Sequence, residues 1–259
     1  MHTQPQAPDS GATITRISDS EWQAEAAGRV IGHGGAWQRP DGRVFLGIDV
    51  WQRERVFDAL AQAMLAALPR PLYTLVDAAD PTLTAGWQRT GFATEHREWH
   101  LLLRTDPQVS GLDSPPPADL TILPAGAAEP GPLGELDRAI RSELGSWRDM
   151  PADVWPRLAG DTVLDPENYA VAVRSGRYVG LIRSVAVRRS PRIALLAVRA
   201  EQQRQGIARA LLTHTLDSLH RRGIDSATTD VKEANAAATA LFDGIGARRA
   251  TCTLELVLR

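Results

Sequence analysis

At 259 residues, with 43% hydrophobic and 23% charged positions, the chain has ordinary globular composition, which excludes wholesale disorder and leaves one large or two modest domains. A net charge of -2 provides no global attraction for nucleic acid, and the single Cys252 excludes an intrachain disulfide framework and any multi-cysteine metal site, as suits a reducing cytoplasm. The opening MHTQPQAPDSGA has neither a basic nor an apolar stretch and reads as a disordered lead, and no apolar run reaches membrane-spanning length, so a cytoplasmic protein without nucleic-acid or membrane partners is expected.

In chain order, the first half opens with strand-like runs around Gly28-Arg29-Val30-Ile31-Gly32 and FLGIDV, which closes at Val50. The intervening GHGG at 32–35 lacks the helix that a dinucleotide fingerprint needs and reads as a turn. DPTLTAGWQRTGF carries helix-like spacing, and HREWH continues into a strand, where His96 and His100 flank Glu98 in the wrong order for a zinc-protease motif. The following TDPQVSGLDSPPPAD concentrates Pro, Ser, Gly and Asp between EWHLLLR and LTILPA, and predicts a linker over 105–118.

In the second half, residues 168–174, 177–188 and 192–198 read as strands. A long helix follows, with Ile207, Leu211, Leu212, Leu216 and Leu219 on one face and Arg221-Arg222-Gly223 as a cationic last turn and stop. The stretch EQQRQGIARALL places Gly206 and Ala208 at the helix start, where unpaired amides and the helix dipole favour an anion and the small residues admit one. DSATTDV then reads as a strand, AAATALFDGI as a helix, and the chain closes on a strand holding Cys252 as a core residue. His214 and His220 read as surface positions, and the arginines of RSVAVRRSPR as solubilising a hairpin or, alternatively, lining the path of an acidic acceptor.

The halves repeat. Gly28-Arg29-Val30-Ile31-Gly32 recurs as Gly176-Arg177-Tyr178-Val179-Gly180 at a shift of 148, and Val50 matches Val198 at the same shift. Further on, DPTLTAGWQRTGF falls on NAAATALFDGIGA and LLLR on LVLR, both at a shift of 155. The seven extra residues, RAEQQRQ, lie between Val198 and Gly206, so the first copy lacks the candidate anion loop.

Gln203-Arg204-Gln205-Gly206-Ile207-Ala208 after a strand, followed by VKEANAAATALFDGIGA, resembles the GCN5-related N-acetyltransferase (GNAT) family over residues 119–259. The resemblance implies a mixed α/β (α+β) fold in two tandem GNAT-like domains, each a twisted mixed sheet flanked by helices. A truncated, degenerate copy would span 13–104, and a catalytic copy 119–259, with acceptor-cap helices at 131–145 and 151–160. It also implies that amides from Gln203 to Ala208 cradle the pyrophosphate of acetyl-CoA, with Arg204 or Arg209 meeting phosphates from the side. Leu196, Ala197 and Val198 would offer an amide to the thioester, and Asn235 would contact the pantetheine arm or brace the turn. No metal is expected.

Two departures from the family pattern matter. Asp230 stands where relatives carry the glutamate of L-E-V, and is the candidate general base, against a plain strand-end aspartate; Phe242 replaces the tyrosine that protonates the leaving thiolate. In the first copy the counterparts are Leu75 for Asp230, Asp80 for Asn235, Trp87 for Phe242 and Trp51 for Gly206. Its Trp22, Trp37, Trp51, Trp87 and Trp99 are expected to fill a vacated cofactor cleft or to contact the second half, with a new aromatic ligand pocket as the alternative. Two function classes stay open: an acetyl-CoA-dependent N-acetyltransferase acting on an unidentified amine, and a non-catalytic acyl-CoA-binding or regulatory protein. A homodimer is compatible with either.

Overall fold

The computed structural model describes residues 12–39, 41–50, 54–110, 116–143, 164–187 and 190–259. The chain divides into two compact units, Met1–Arg97 with Thr253–Arg259, and Glu98–Cys252. In the first unit, β1 (Thr13–Arg16), β2 (Glu21–Ala26), β3 (Arg29–Gln38) and β4 (Val44–Val50) form an antiparallel meander. Helix α1 (Glu54–Ala67) then leads to β5 (Leu72–Asp77), which pairs parallel with β4, and α2 (Pro81–Arg89) follows.

Strand β6 (Ala93–Arg104) enters the second unit at Glu98. There follow α3 (Pro107–Ser110), β7 (Leu120–Leu123), α4 (Pro130–Glu143), β8 (Tyr169–Arg174), β9 (Arg177–Val187) and β10 (Ser190–Val198). Helix α5 (Ile207–Arg221), β11 (Ser226–Lys232), α6 (Ala236–Asp243) and β12 (Arg248–Leu258) complete the chain. The order within this unit is β6-β11-β10-β9-β8-β7, with β10 and β11 parallel. No helix among the described residues is long and apolar enough to cross a membrane.

The boundary expected after residue 104 differs from the compact units, because the last strands are exchanged. The end of β6 pairs antiparallel with β11 in the second unit, Leu101 opposite Thr229, while the end of β12 pairs with β5 in the first, Leu256 opposite Thr74. LLLR and LVLR present the same alternation, so either satisfies either sheet edge.

The repeated Gly-Arg-x-x-Gly has a structural cause. Ala27 and Gly28 (φ 49° and 72°) and Ser175 and Gly176 (φ 49° and 74°) make the paired left-handed corners of a hairpin turn. The second glycine of each motif makes room for a helix: a Cβ on Gly32 would stand 3.1 Å from Leu60 of α1, and one on Gly180 would stand 3.2 Å from both Ile207 and Leu211 of α5. GHGG, expected as a turn, instead runs inside β3, where Gly34 accommodates Met64.

The second unit's sheet is covered on both faces. The predicted apolar stripe of α5 packs with Leu101, Leu103, Ala227, Val231 and Phe242. Leu133, Leu136 and Ile140 of α4 cover Tyr169, Val171, Leu181 and Leu195 on the other face, which is why β8 reads as an almost unbroken apolar run. Helix α5 ends at Arg221, with Arg222 as its C-cap and Gly223 left-handed (φ 74°), as expected. The first cap helix is α4; the second, at 151–160, lies outside the described residues, as does Trp51. In the first unit only four residues separate β1 from β2, leaving no room for such caps.

Candidate functional site

The site begins where two parallel strands part. Residue pairing between β10 and β11 covers Arg192 with Thr228 and Ile193 with Thr229, and the Thr229 hydroxyl donates to the Ile193 carbonyl at 2.9 Å. Opposite, β10 bulges against β9 between Ile193 and Leu195. Beyond this point β10 runs on to Val198 beside β9 and β11 to Lys232 beside β6, and a cavity of about 130 Å³ opens between them. Leu196, Ala197, Asp230, Asn235 and Phe242 line it. That volume holds about four waters, so it admits a group of a few heavy atoms and not a whole coenzyme. The first unit parts at the same place: β4 and β5 pair through Leu46 and Thr74, whose hydroxyl donates to the Leu46 carbonyl at 2.9 Å.

The loop after β10 presents an open helix start. Arg204 (φ 62°) and Gly206 (φ 79°) are both left-handed, and Gly206 caps α5 with no side-chain hydrogen bond. By contrast Asp80 caps α2 by accepting from the Leu83 amide at 2.8 Å, and Asn235 caps α6 by accepting from the Ala238 amide at 3.0 Å. Ile207 and Ala208, as the first residues of α5, have no intrahelical acceptor for their N–H groups. The Ile207 side chain is buried in the core, whereas residues 203–206 are exposed and Arg209 is half-buried.

The approach to this loop is braced. Glu143, at the end of α4, accepts from the Arg199 guanidinium at 2.6 Å and from the Ala200 amide at 2.7 Å. Burial pushes the Glu143 carboxyl up, but the Ala200 amide and Arg199 outweigh it and hold the carboxyl below its ordinary value. Arg174 donates to Gln202 at 3.0 Å and to Gln205, and pairs with Asp119 at 3.0 Å. Gln203 donates to the Val198 carbonyl at 3.2 Å, closing the loop onto its strand.

Asp230 is not a free strand-end carboxylate. Its Oδ2 accepts from Arg192 and its Oδ1 lies 2.6 Å from Nδ1 of His100, the residue opposite it on β6. Side-chain exposure is 40% for His100, 20% for Asp230 and 19% for Arg192. Arg192, expected to solubilise a hairpin or to line an acidic acceptor's path, therefore holds a residue of the cavity lining, and so does His100, which the sequence presents only as a poor metal motif. Their signal was strand alternation: His100 and Asp230 each lie on the face opposite the core positions Leu101, Leu103, Ala227 and Val231.

Phe242 is buried beside the cavity and offers no proton. Asn235 braces the start of α6 through its cap. Elsewhere in the second unit a cavity of about 810 Å³ is lined by Glu129, Glu135, Glu201, Arg174, Arg177 and Arg199, whose opposed charges select no ligand sign. His214, expected at the surface, is half-buried on α5; burial first, then Arg221, pushes its imidazole below the ordinary value.

The first unit lacks these features at the matching positions. Leu75, where Asp230 would be, is an exposed apolar residue, and Trp87, where Phe242 would be, is core. Trp22 is core too, Trp37 stacks on Phe45 at 6.0 Å between centroids, and Trp99 belongs to the second unit, donating to Glu233 at 3.2 Å. Glu95, His96 and Glu255 bring potential ligand atoms within 4.8 Å of one another, but each carboxylate is engaged by an arginine at 2.6 Å, Arg259 on Glu95 and Arg43 on Glu255.

Part of the chain is similar to known proteins. Residues 157–250 match the family profile described as an acetyltransferase (GNAT) domain. A stretch of 56 residues is 45% identical to the [ribosomal protein bS18]-alanine N-acetyltransferase of Escherichia coli K12, covering 22% of this chain and 38% of that protein. The match thus spans well under half the length of that relative. Among solved structures, a GCN5-related N-acetyltransferase from Sphaerobacter thermophilus aligns with a TM-score of 0.64 at 18% identity, over 94% of this chain and 82% of that one. A tandem GNAT protein from the clavulanic acid biosynthesis pathway aligns at 0.62 and 16% identity, over 92% and 82%. At such identities the likeness is one of fold.

Proposed function

Since residues 157–250 match the GNAT acetyltransferase domain profile, we propose that this chain moves an acetyl group from acetyl-CoA to a primary amine, with all of the chemistry in its second unit. The observation that carries the reading is the uncapped start of α5 beside the parting of β10 and β11. A helix start without a side-chain cap leaves its first amides to a ligand, and the dipole there favours an anion such as a pyrophosphate. Exposed Arg204 adds a cation beside that position.

The coenzyme supplies the acyl group as a thioester. From β10, alternate amides along Leu196, Ala197 and Val198 face away from β9 into the cavity and polarise the carbonyl held there. Asn235 keeps α6, and with it Phe242, against the cavity wall. The first unit, lacking the seven-residue loop and the cap helices, is a degenerate copy that binds no coenzyme. The bS18-alanine relative makes the α-amine of an alanine-initiated peptide the first acceptor to try.

A second reading, an acyl-CoA-binding protein without turnover, is favoured by one observation, the buried Phe242 in place of a proton donor. Free thiol released from acetyl-CoA during incubation with amines separates the two. The panel holds an alanine-initiated peptide, free amino acids and an aminoglycoside. Amine-dependent release above the background rate is expected; saturable coenzyme binding with no release from any amine leaves the binding protein.

A further inference from the structure

We propose that His100 accepts the proton shed by the acceptor amine, and that Asp230 is the positioning residue that holds it. The inference rests on the acetyl-transfer reading and changes which side chain is the base. Asp230 has both oxygens engaged, one by the Arg192 guanidinium and one by His100, so each oxygen already holds a partner before any amine arrives. His100 has the complementary state. A carboxylate offers no proton, so in a neutral ring the 2.6 Å contact favours the tautomer with the hydrogen on Nδ1 and the lone pair on Nε2. His100 is also twice as exposed as Asp230, at 40% against 20%. It shares one face of β6 with Glu98, which lines the cavity between β10 and β11 together with Asp230.

The strand exchange gives the pairing its meaning. At the shift of 155 that relates the two halves, His100 corresponds to Glu255 and Asp230 to Leu75. In the first unit those counterparts face each other, Glu255 opposite Leu75, and Arg43 holds Glu255 at 2.6 Å. Had each half kept its own last strand, Glu255 would stand opposite Asp230 and two carboxylates would share the site. The exchange puts an imidazole there instead. It is supplied from 130 residues away, by a strand of the half that lacks the coenzyme loop. On this reading the first half contributes to catalysis without binding coenzyme.

In the step itself the amine lone pair attacks the thioester carbon and the N–C bond forms. The C–S bond breaks with its electron pair on sulfur. The surplus proton on nitrogen passes to Nε2 of His100, and the imidazolium returns it to solvent, from which the thiolate is protonated. The products are the amide and free coenzyme thiol.

The test uses the full chain and whichever panel amine gives the fastest thiol release. His100→Ala is expected to lower kcat about a hundredfold or more, with the KM for acetyl-CoA within about twofold of wild type. Added imidazole should restore turnover in proportion to its concentration, which a merely structural histidine would not show. His100→Gln, closer in shape, should keep the wild-type melting temperature and stay slow. Asp230→Asn should also be slow, and the double variant no slower than His100→Ala, because the two act as one unit. Wild-type kcat in His100→Ala overturns the proposal, as does a loss that imidazole leaves untouched while Asp230→Asn alone abolishes turnover; either leaves the acetyl-transfer reading intact. Wild-type protein that releases no thiol with any amine refutes that reading, and this inference with it.

Discussion

Replacing Gly206 by alanine separates what the loop does for the fold from what it does for a ligand. Gly206 has φ 79°, and a residue with a Cβ held there costs about 1–2 kcal/mol. The new methyl itself is tolerated, since the nearest atoms, Cγ and Cδ of Pro117, stand 3.6 and 3.9 Å away. For a domain of this size the backbone cost lowers Tm by about 2–8 °C. The ligand loses more. Relaxing φ turns the start of α5 and misaligns one amide with the phosphate, and a hydrogen bond to a charged group is worth about 1.5–3 kcal/mol. Coenzyme A affinity should therefore fall about 10- to 150-fold. Calorimetric titration should give one site in the wild-type chain and that weakening in Gly206→Ala, while Gly206→Trp, which puts an indole in the phosphate's place, should bind none. Acetyl-pantetheine, which lacks the pyrophosphate, should be used equally well by wild type and Gly206→Ala. Unchanged coenzyme affinity in Gly206→Ala alongside the lowered Tm would refute the loop assignment, and so would two equivalent sites in the wild type.

Two further expectations concern stability. Arg43→Met strips the guanidinium from Asp41 and Glu255, whose side chains are 4% and 12% exposed, and should destabilise the first unit by about 3–5 kcal/mol in urea unfolding; a change under about 1 kcal/mol would show that the pairs contribute little. Burial opposes the charge on Arg43, yet its bonds to Asp41 and Glu255 hold the guanidinium above its ordinary value. His214 runs the other way. Its folded imidazole sits below the ordinary value, so the unfolded chain takes up the proton first. Stability is complete above about pH 6.5 and falls as the pH drops from there through the folded value. His214→Gln should flatten that decline in the urea midpoint, and an unaltered slope would assign it to another group.

The local features were legible because each is decided over a few residues. The stripe of Ile207, Leu211, Leu212, Leu216 and Leu219 named the buried face of α5, and the glycine after Gln205 named a helix start with its amides open. The repeat located Asn235 and Asp80, which cap α6 and α2 in the same way. Alternation also set the faces of β6 and β11, so that His100 and Asp230 project away from the core. What alternation does not encode is the neighbour. Backbone hydrogen bonds along a strand edge are blind to side chains, and LLLR and LVLR offer the same apolar face to either sheet. Only the tertiary structure decided that β6 ends beside β11 and β12 beside β5, and so that Asp230 meets His100 and Arg192 instead of standing free.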